Sequence, residues 1–530
     1  MKKLSLLLLL SLIIAPAIHL FSQEIEYKPD APVPVDSHVK KGILDNGLIY
    51  YIRENTTPEN RAQFWLVVDA GAILEEDHQD GLAHFCEHMA FNGTKNFKKH
   101  QIRHYLQSIG MQFGPEINAF TSNDVTNYML QKVPTEDPAH VDTALNILYD
   151  WAHLVAYEPE EIDKERGVIH EEWRTRRSAQ FRLMTKYQDV LYKGSKYAER
   201  DVIGDIDIID NCEYEALTSF YNEWYRPDLQ AIVAVGDFDT EVIEKKIQEL
   251  FSKIPARENA KERKVYEIPG HKETLVAIET DKEARYTMVQ VYYKHDVHKT
   301  KTQEDLKNSL AHKLFSIMLN ARLEELLQKS DPPFVYGFTD YINLERSKDA
   351  YTSFAISKNN QTLRTLETLL TENERVKKFG FTKTEMERAK KELLKKMEKE
   401  FKERNKQKSD KYAWDYYGNF LNDDPIPGIE YLYAFTQKML PDITLKQVNG
   451  LIGKWVTDEN RVVIITGPEN EEVEMPAKEQ VMEVINTVPG KEIVPYKDKV
   501  SDEPLMAEMP EPGKIIKEKY NKELGYTEFF

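Results

Sequence analysis

Two histidines and a glutamate stand within one short segment, His84-Phe85-Cys86-Glu87-His88. His84 and His88 are four residues apart, so on a helix they share a face and their imidazoles can converge on one metal ion. Glu87 lies beside them, where a carboxylate can accept a proton from a metal-bound water without being a ligand itself. The spacing therefore predicts a zinc site equipped to hydrolyse an amide bond.

The segment around these residues has helix-boundary signals at both ends. Asp80 is a suitable N-cap residue, and Asn92 followed by Gly93 is typical of a helix end. We therefore expect a helix from Gly81 to about Phe91.

A catalytic zinc typically has three protein ligands and one open position, so a third ligand must come from elsewhere in the chain. In a second helical segment Glu165, Val168, Ile169 and Glu172 fall on one face, and the apolar pair predicts that this face is buried. Two inward carboxylates are costly unless a cation neutralises them. One of the two can bind zinc while the other supports the site, and the residues alone do not rank them.

The elements that must position these residues indicate an α+β fold rather than a regular βαβ repeat. Asp45-Asn46-Gly47 predicts a type I′ hairpin turn within residues 39–53, and residues 64–70 and 231–235 have the composition of buried strands. Helical patterns dominate between these strands.

A weak internal repeat supports two related domains. An apolar helical face that ends at Trp224 recurs at Trp455, and each tryptophan is followed 12 residues later by a glycine that ends a strand, Gly236 or Gly467. The predicted domains are residues 38–254 and 270–500.

The composition limits the class of protein and the compartment. The 530 residues are 41% hydrophobic and 30% charged, with a net charge of −18, which suits soluble globular domains and argues against a nucleic-acid partner. Residues 1–22 have the basic start and short apolar run of a signal peptide, which predicts a periplasmic or secreted protein without stable membrane insertion; an uncleaved membrane anchor is the alternative. Cys86 and Cys212 are expected to be free thiols, because a disulfide at Cys86 would distort the motif helix.

The motif is the reversed zinc signature of inverzincins, and its surroundings resemble the pitrilysin and insulin-degrading enzyme family. The resemblance covers most of residues 38–254. It is carried by the motif itself and by Gly81-Leu82-Ala83, Met89-Ala90-Phe91-Asn92-Gly93-Thr94, Asn118-Ala119-Phe120-Thr121-Ser122, Thr126-Asn127-Tyr128, residues 165–174, Phe220-Tyr221 and Gly236-Asp237.

The resemblance ranks the candidate residues. It implies that His84, His88 and Glu172 bind one Zn²⁺ per chain, that Glu87 is the general base, and that Glu165 is a supporting acid.

The resemblance also implies a substrate-binding strand. Asn118, Ala119, Phe120 and Thr121 match the family's strand beside the metal, where an extended peptide adds to the edge of a sheet.

Family members contain pairs of αβ domains, each a mainly antiparallel sheet packed with helices, and two pairs close like a clamshell around a chamber. Residues 38–500 resemble one such pair, and residues 501–530 resemble a linker towards a C-terminal half that is missing here. That half, or an equivalent one, is the expected partner. Arg322 and Tyr336 are expected to be structural, with the oxyanion-stabilising residues on the other half.

The leading hypothesis is a zinc metalloendopeptidase that hydrolyses peptides or unfolded polypeptides in an enclosed chamber. One alternative is a non-catalytic family subunit. Another is a peptide-binding half that holds zinc but is inactive without its C-terminal half.

Overall fold

The computed structural model describes residues 25–498, Met506 and residues 513–530. The predicted signal peptide, residues 1–22, lies outside the described residues, as do residues 501–505 and 507–512 of the predicted linker. The chain divides into a large unit that ends at Pro495 and a small unit, Tyr496–Phe530. Among the helices of the described ranges, none combines the length and the apolar character that crossing a membrane requires.

The first αβ segment of the large unit, residues 39–251, is built on a six-stranded sheet with the order β1-β2-β6-β3-β5-β4. Its strands are β1 (Val39–Ile43), β2 (Ile49–Glu54), β3 (Arg61–Val68), β4 (Ile117–Thr121), β5 (Thr126–Pro134) and β6 (Gln230–Gly236). Its helices are α1 (Leu82–Asn92), α2 (Gln101–Ser108), α3 (Pro138–His153), α4 (Pro159–Arg176), α5 (Ala179–Leu191), α6 (Ile206–Asn211), α7 (Tyr214–Trp224) and α8 (Thr240–Phe251).

The second αβ segment, residues 275–487, is built on a five-stranded sheet with the order β7-β11-β8-β10-β9. Its strands are β7 (Leu275–Asp281), β8 (Thr287–Asp296), β9 (Tyr336–Glu345), β10 (Lys348–Ser357) and β11 (Arg461–Pro468). Its helices are α9 (Gln303–Leu327), α10 (Thr362–Phe379), α11 (Lys383–Lys402), α12 (Ser409–Asn422), α13 (Gly428–Met439), α14 (Leu445–Trp455) and α15 (Lys478–Thr487).

The two sheets share one topology. Without β1, the first order is β2-β6-β3-β5-β4, and the second sheet repeats it strand for strand. The last strand of each sheet in chain order, β6 or β11, is parallel to one neighbour and antiparallel to the other. The remaining strand pairs are antiparallel. The predicted α+β class and the two related αβ segments are therefore confirmed, while the boundaries 38–254, 270–500 and 501–530 stay predictions.

Each sheet has its main core on one face and a helix from the other segment on its second face. Tyr416 of α12 stacks on Tyr51 of the first sheet and belongs to one apolar cluster with Trp65 and Met129. Tyr187 of α5 packs on Leu275 and neighbouring residues of the second sheet. The two segments thus cover one another, which explains why they form one compact unit.

The first hairpin forms where predicted, but its turn is of a different type. A type I′ turn needs positive φ at both central residues, and here only Gly47 has positive φ, +95°. Gly47 N–H donates to Leu44 O at 2.8 Å and Leu44 N–H donates to Leu48 O at 2.8 Å, which closes a three-residue loop. The side chain of Asn46 is used elsewhere, since its amide donates to Phe251 O at 2.9 Å.

The small unit contains a hairpin of β12 (Glu518–Asn521) and β13 (Tyr526–Phe529). The two strands are antiparallel, with Asn521 opposite Tyr526.

Candidate metal centre

Helix α1 holds both histidines of the motif on one face, and its start is fixed by a residue that the sequence did not suggest. Gly81 precedes the helix with φ of +97°, a conformation that favours glycine. The buried carboxylate of Glu75 accepts hydrogen bonds from Gly81 N–H at 3.1 Å and Ala83 N–H at 2.7 Å. The prediction that Asp80 caps this helix is therefore wrong, because Glu75 reaches the free amides from an earlier turn.

The histidines of α1 meet a carboxylate from α4. Glu172 Oε2 lies 3.1 Å from His88 Nε2, and Glu172 Oε1 lies 3.7 Å from His84 Nε2. Donor atoms of these three residues all lie within 4.8 Å of one another, and within the described ranges no other group of three or more His, Cys, Asp or Glu side chains has this geometry. Ligands bound tetrahedrally to one zinc at about 2.0–2.1 Å lie about 3.3 Å apart, so the set fits zinc.

Glu165 and Asn92 form a second layer behind this set. Glu165 Oε1 lies 2.7 Å from His88 Nδ1, and the Asn92 side-chain amide donates to Glu165 Oε2. A carboxylate on the far nitrogen of a metal-binding histidine fixes its tautomer and ring orientation. The two inward carboxylates of α4 thus differ in position: Glu172 faces both Nε2 atoms, and Glu165 faces the back of one ring.

The charges at the site favour a cation. Burial and the neighbouring His88 lower the pKa of His84 to about 3. Burial opposes a charged His88, but hydrogen bonds to Glu165 and Glu172 outweigh it and raise the pKa of His88 to about 10. Burial likewise opposes a charged Glu172, but its bond with His88 and the charges around it lower its pKa to about 2. Carboxylates that stabilise an imidazolium here would stabilise a divalent metal ion in its place.

Glu87 lies on α1 beside this set and has a separate partner. Its side chain is buried, and burial raises the pKa of Glu87 above its ordinary value. The Thr121 hydroxyl, at the end of β4, donates to Glu87 Oε2 at 2.8 Å. One oxygen of the carboxylate is therefore held, which leaves the other for proton transfer.

The metal-binding set opens into a cleft of about 820 Å³. The four residues predicted to contact substrate, Asn118 to Thr121, form most of β4 and line this cleft. In the described residues β4 is the last strand of the sheet, and the loop of residues 112–114 contacts its outer edge at Ile117.

Three further expectations can be compared with the structure. Ile169 is buried as predicted, but Val168 is 51% exposed and lines the cleft. The two carboxylates are therefore shielded by the packing of α4 against α1 and not by an apolar pair. Arg322 is buried on α9 and pairs with Glu385 at 2.6 Å, and Tyr336 is exposed at the start of β9. Neither lines the cleft.

The two cysteines lie apart from this chemistry. Both are free, and Cys86 is fully buried in the core on the far side of α1, where its thiol faces Leu217 O.

Comparison with known proteins gives two family matches. Residues 50–193 match "Insulinase (Peptidase family M16)", and residues 211–393 match "Peptidase M16 inactive domain".

Similar proteins extend over most of the chain. The "Zinc protease PQQL-like" of Arabidopsis thaliana is 32% identical over 92% of this chain and 48% of the relative. The "Probable zinc protease PqqL" of Haemophilus influenzae is 29% identical over 84% of this chain and 48% of the relative. The chain therefore spans about half the length of these relatives.

A solved structure shows the same fold. The first half of the periplasmic protease PqqL from Escherichia coli superposes with a TM-score of 0.82 at 24% identity, covering 88% of this chain and 100% of that one. The two family matches, which cover parts of both αβ segments, and the similarity to the zinc protease of Arabidopsis thaliana show that the chain belongs to peptidase family M16.

Proposed function

We propose that this chain is the zinc-binding part of a metalloendopeptidase that hydrolyses peptides or unfolded polypeptides. The observation that carries the proposal is the convergence of His84, His88 and Glu172 beside the buried carboxylate of Glu87. The names of the relatives, zinc proteases, support the same metal and the same reaction class.

In this proposal His84, His88 and Glu172 hold one zinc ion per chain, and Glu165 orients His88 from behind. Zinc, when bound, supplies a Lewis acid that polarises the scissile carbonyl and acidifies water. Glu87 accepts the proton of the attacking water on the oxygen that Thr121 leaves free, and then donates it to the nitrogen of the departing amine. Its raised pKa suits a group that must both take and give a proton.

The substrate would lie along β4 as an added strand. Ile117 N–H donates to Gln112 O at 3.0 Å, away from β5. Since alternate residues of an antiparallel strand point their backbone groups the same way, Ala119 and Thr121 also present theirs to the free edge. A peptide paired with these groups lies beside Glu87, because Thr121 is bonded to it.

The complete enzyme would include a second half. The relatives are about twice as long as the matched region, and one solved neighbour is the first half of a periplasmic protease. We propose that this chain and such a half enclose the substrate in a chamber, that export places them in the periplasm, and that the other half supplies the oxyanion-stabilising side chains.

The alternative is a peptide-binding half or a family subunit that is not catalytic by itself. The match of residues 211–393 to an inactive domain is compatible with this alternative.

Hydrolysis of a quenched, unstructured peptide by the zinc-loaded chain, alone and mixed with a C-terminal half, separates these possibilities. We expect Glu87→Gln to lower the rate about 10²- to 10⁴-fold at unchanged zinc content. Glu171→Gln, on the solvent side of α4, is the matched control and should cleave like wild type. Equal rates for Glu87→Gln and wild type would contradict the general-base role, and no cleavage under either condition would favour the alternative.

A further inference from the structure

Helix α12 of the second αβ segment places an aromatic side chain next to the substrate strand of the first. Trp414 is 44% exposed, a large fraction for a tryptophan. Its ring lies 6.1 Å from Phe120 of β4 in a stacked arrangement, and 4.9 Å from the buried Trp65 in an edge contact. Tyr417, one helical turn later, lies 5.1 Å from Trp414 and 6.2 Å from Phe120. The Trp414 ring is therefore held by contacts with Trp65, Phe120 and Tyr417, and the rest of its surface is exposed to solvent.

The two faces of β4 differ because side chains alternate along a strand. Thr121 bonds Glu87 and Ala119 packs on the core that contains α1, so these residues face the metal-binding set. Phe120 packs instead on the cluster that contains Tyr416 of α12. A peptide strand added to β4 must alternate in the same way.

Phe120 and Trp414 are placed to contact one side chain of such a peptide. Directly opposite residues of paired strands have Cβ atoms about 4.5–5.5 Å apart and lie on the same face of the sheet. The substrate residue opposite Phe120 would therefore turn away from Glu87 and meet the faces of Phe120 and Trp414. Its two neighbours would turn towards the metal.

We propose that Phe120 and Trp414 form a specificity subsite that selects a bulky apolar side chain in a peptide bound along β4. This proposal rests on the proposed function, since it needs the β4 edge as the substrate site. The contact surfaces are the ring faces of Phe120 and Trp414, and neither side chain is charged. They can therefore stabilise a bound side chain by burying its apolar area. Because Trp414 is held by Trp65, little side-chain freedom is lost when a peptide binds.

The test measures binding in the zinc-loaded Glu87→Gln chain, which is expected to hold peptides without cleaving them. Labelled peptides of one length carry Phe, Leu, Ala, Arg or Asp at a single scanned position, and anisotropy gives each Kd. At one position we expect Phe and Leu to bind about tenfold more tightly than Ala. Trp414→Ala should reduce that ratio to about twofold or less, while Trp414→Phe should keep most of it.

Phe379→Ala is the matched control, because Phe379 has a similar exposure, 46%, and lies on α10 rather than on α12 beside β4. It should leave the ratio unchanged. Zinc content and circular dichroism report whether Trp414→Ala is folded, and Phe120→Leu tests the same subsite from β4 if it is not.

The outcomes separate this subsite from the proposed function. An unchanged Phe-to-Ala ratio in folded Trp414→Ala, or tighter binding of the Arg or Asp peptide than of the Phe peptide, would overturn the subsite alone. Failure of every peptide to bind would contradict the β4 substrate strand as well. Absence of hydrolysis by wild type would contradict the proposed reaction without affecting a measured binding preference.

Discussion

The two αβ segments place different side chains between corresponding helices. In the first, α1 follows β3 and packs on α4, the second helix after β5. In the second, α9 follows β8 and packs on α11, the second helix after β10. The first pair encloses two histidines and two glutamates, and the second encloses the ion pair of Arg322 and Glu385.

The comparison shows how one fold can carry a site or do without one. In both helix pairs inward carboxylates need a positive partner. Arg322 is a permanent partner for Glu385, whereas Glu172 has only imidazoles and the exposed Arg176, whose Nε lies 2.7 Å from Glu172 Oε1. The first segment is therefore suited to an exchangeable cation, and the second neutralises its own charge. The side chains between the helices, and not the shared topology, determine which segment can bind a metal ion.

Removal of the positive partner in the second segment should have the largest effect on stability. Arg322→Met leaves Glu385 buried without its ion pair and should cost about 3–5 kcal/mol of unfolding free energy. Zinc content should be unchanged, because the change lies on α9. Urea unfolding and metal analysis measure both effects.

The control for that change is Arg364→Met, which removes an exposed pair with Asp331 and should cost less than about 1 kcal/mol. If Arg322→Met lowered the unfolding free energy no more than Arg364→Met does, the stability of the second helix pair would not depend on its buried ion pair.

The supporting carboxylate of the first segment gives the next largest effect. Glu165→Gln keeps the side chain's shape but weakens the bond to His88 Nδ1, so zinc affinity should fall about 10- to 100-fold. Competition with a chromogenic chelator measures it, with Glu160→Gln, exposed in the first turn of α4, as the control. Equal affinities for the two variants would mean that Glu165 does not act through His88.

A half-buried carboxylate in the second segment should behave in the opposite way to Glu172. Burial raises the pKa of Glu345 at the end of β9 to about 7, with Asp124 adding to the rise, while hydrogen bonds to Tyr192 and Asn123 oppose it. Its folded-state pKa exceeds its unfolded one, so the stability that it contributes is complete below about pH 4.5 and is lost as pH rises through about 7.

We therefore expect wild type to lose about 1–2 kcal/mol more than Glu345→Gln between pH 5 and pH 8, in urea titrations at both values. Parallel pH profiles for the two proteins would show that Glu345 is ionised throughout.

The smallest expected effect concerns how the segments cover one another. Tyr51 of β2 and Tyr416 of α12 stack with ring centroids 5.4 Å apart. A double-mutant cycle with Tyr51→Ala and Tyr416→Ala should give a coupling of about 0.5–1.5 kcal/mol. Strictly additive losses would indicate that α12 is held on the first sheet by other contacts.

Local patterns were sufficient to predict much of this molecule. The i, i+4 spacing of His84 and His88 and the repeated helix-strand pattern depend on short stretches of sequence, and both features are present. Two carboxylates on one face of α4 were also predictable, but their division into a metal-facing and a ring-supporting one depends on where α1 crosses α4.

The remaining features depend on contacts between distant parts of the chain. Glu75 reaches the start of α1 from an earlier turn, and Asp80, which has the local capping signal, does not cap it. The exposure of Val168 follows from the cleft beside α4. Trp414 reaches β4 from the second segment through α12, a placement that only the packing of the two segments determines.

The zinc-to-protein ratio of the purified chain, measured for wild type, His88→Ala and Glu87→Gln, shows whether the first αβ segment binds the metal. One zinc per chain in wild type and in Glu87→Gln, with almost none in His88→Ala, is the predicted result. A wild-type chain that retains no stoichiometric zinc, or a His88→Ala chain that retains as much as wild type, would contradict the assignment of the metal to the first αβ segment.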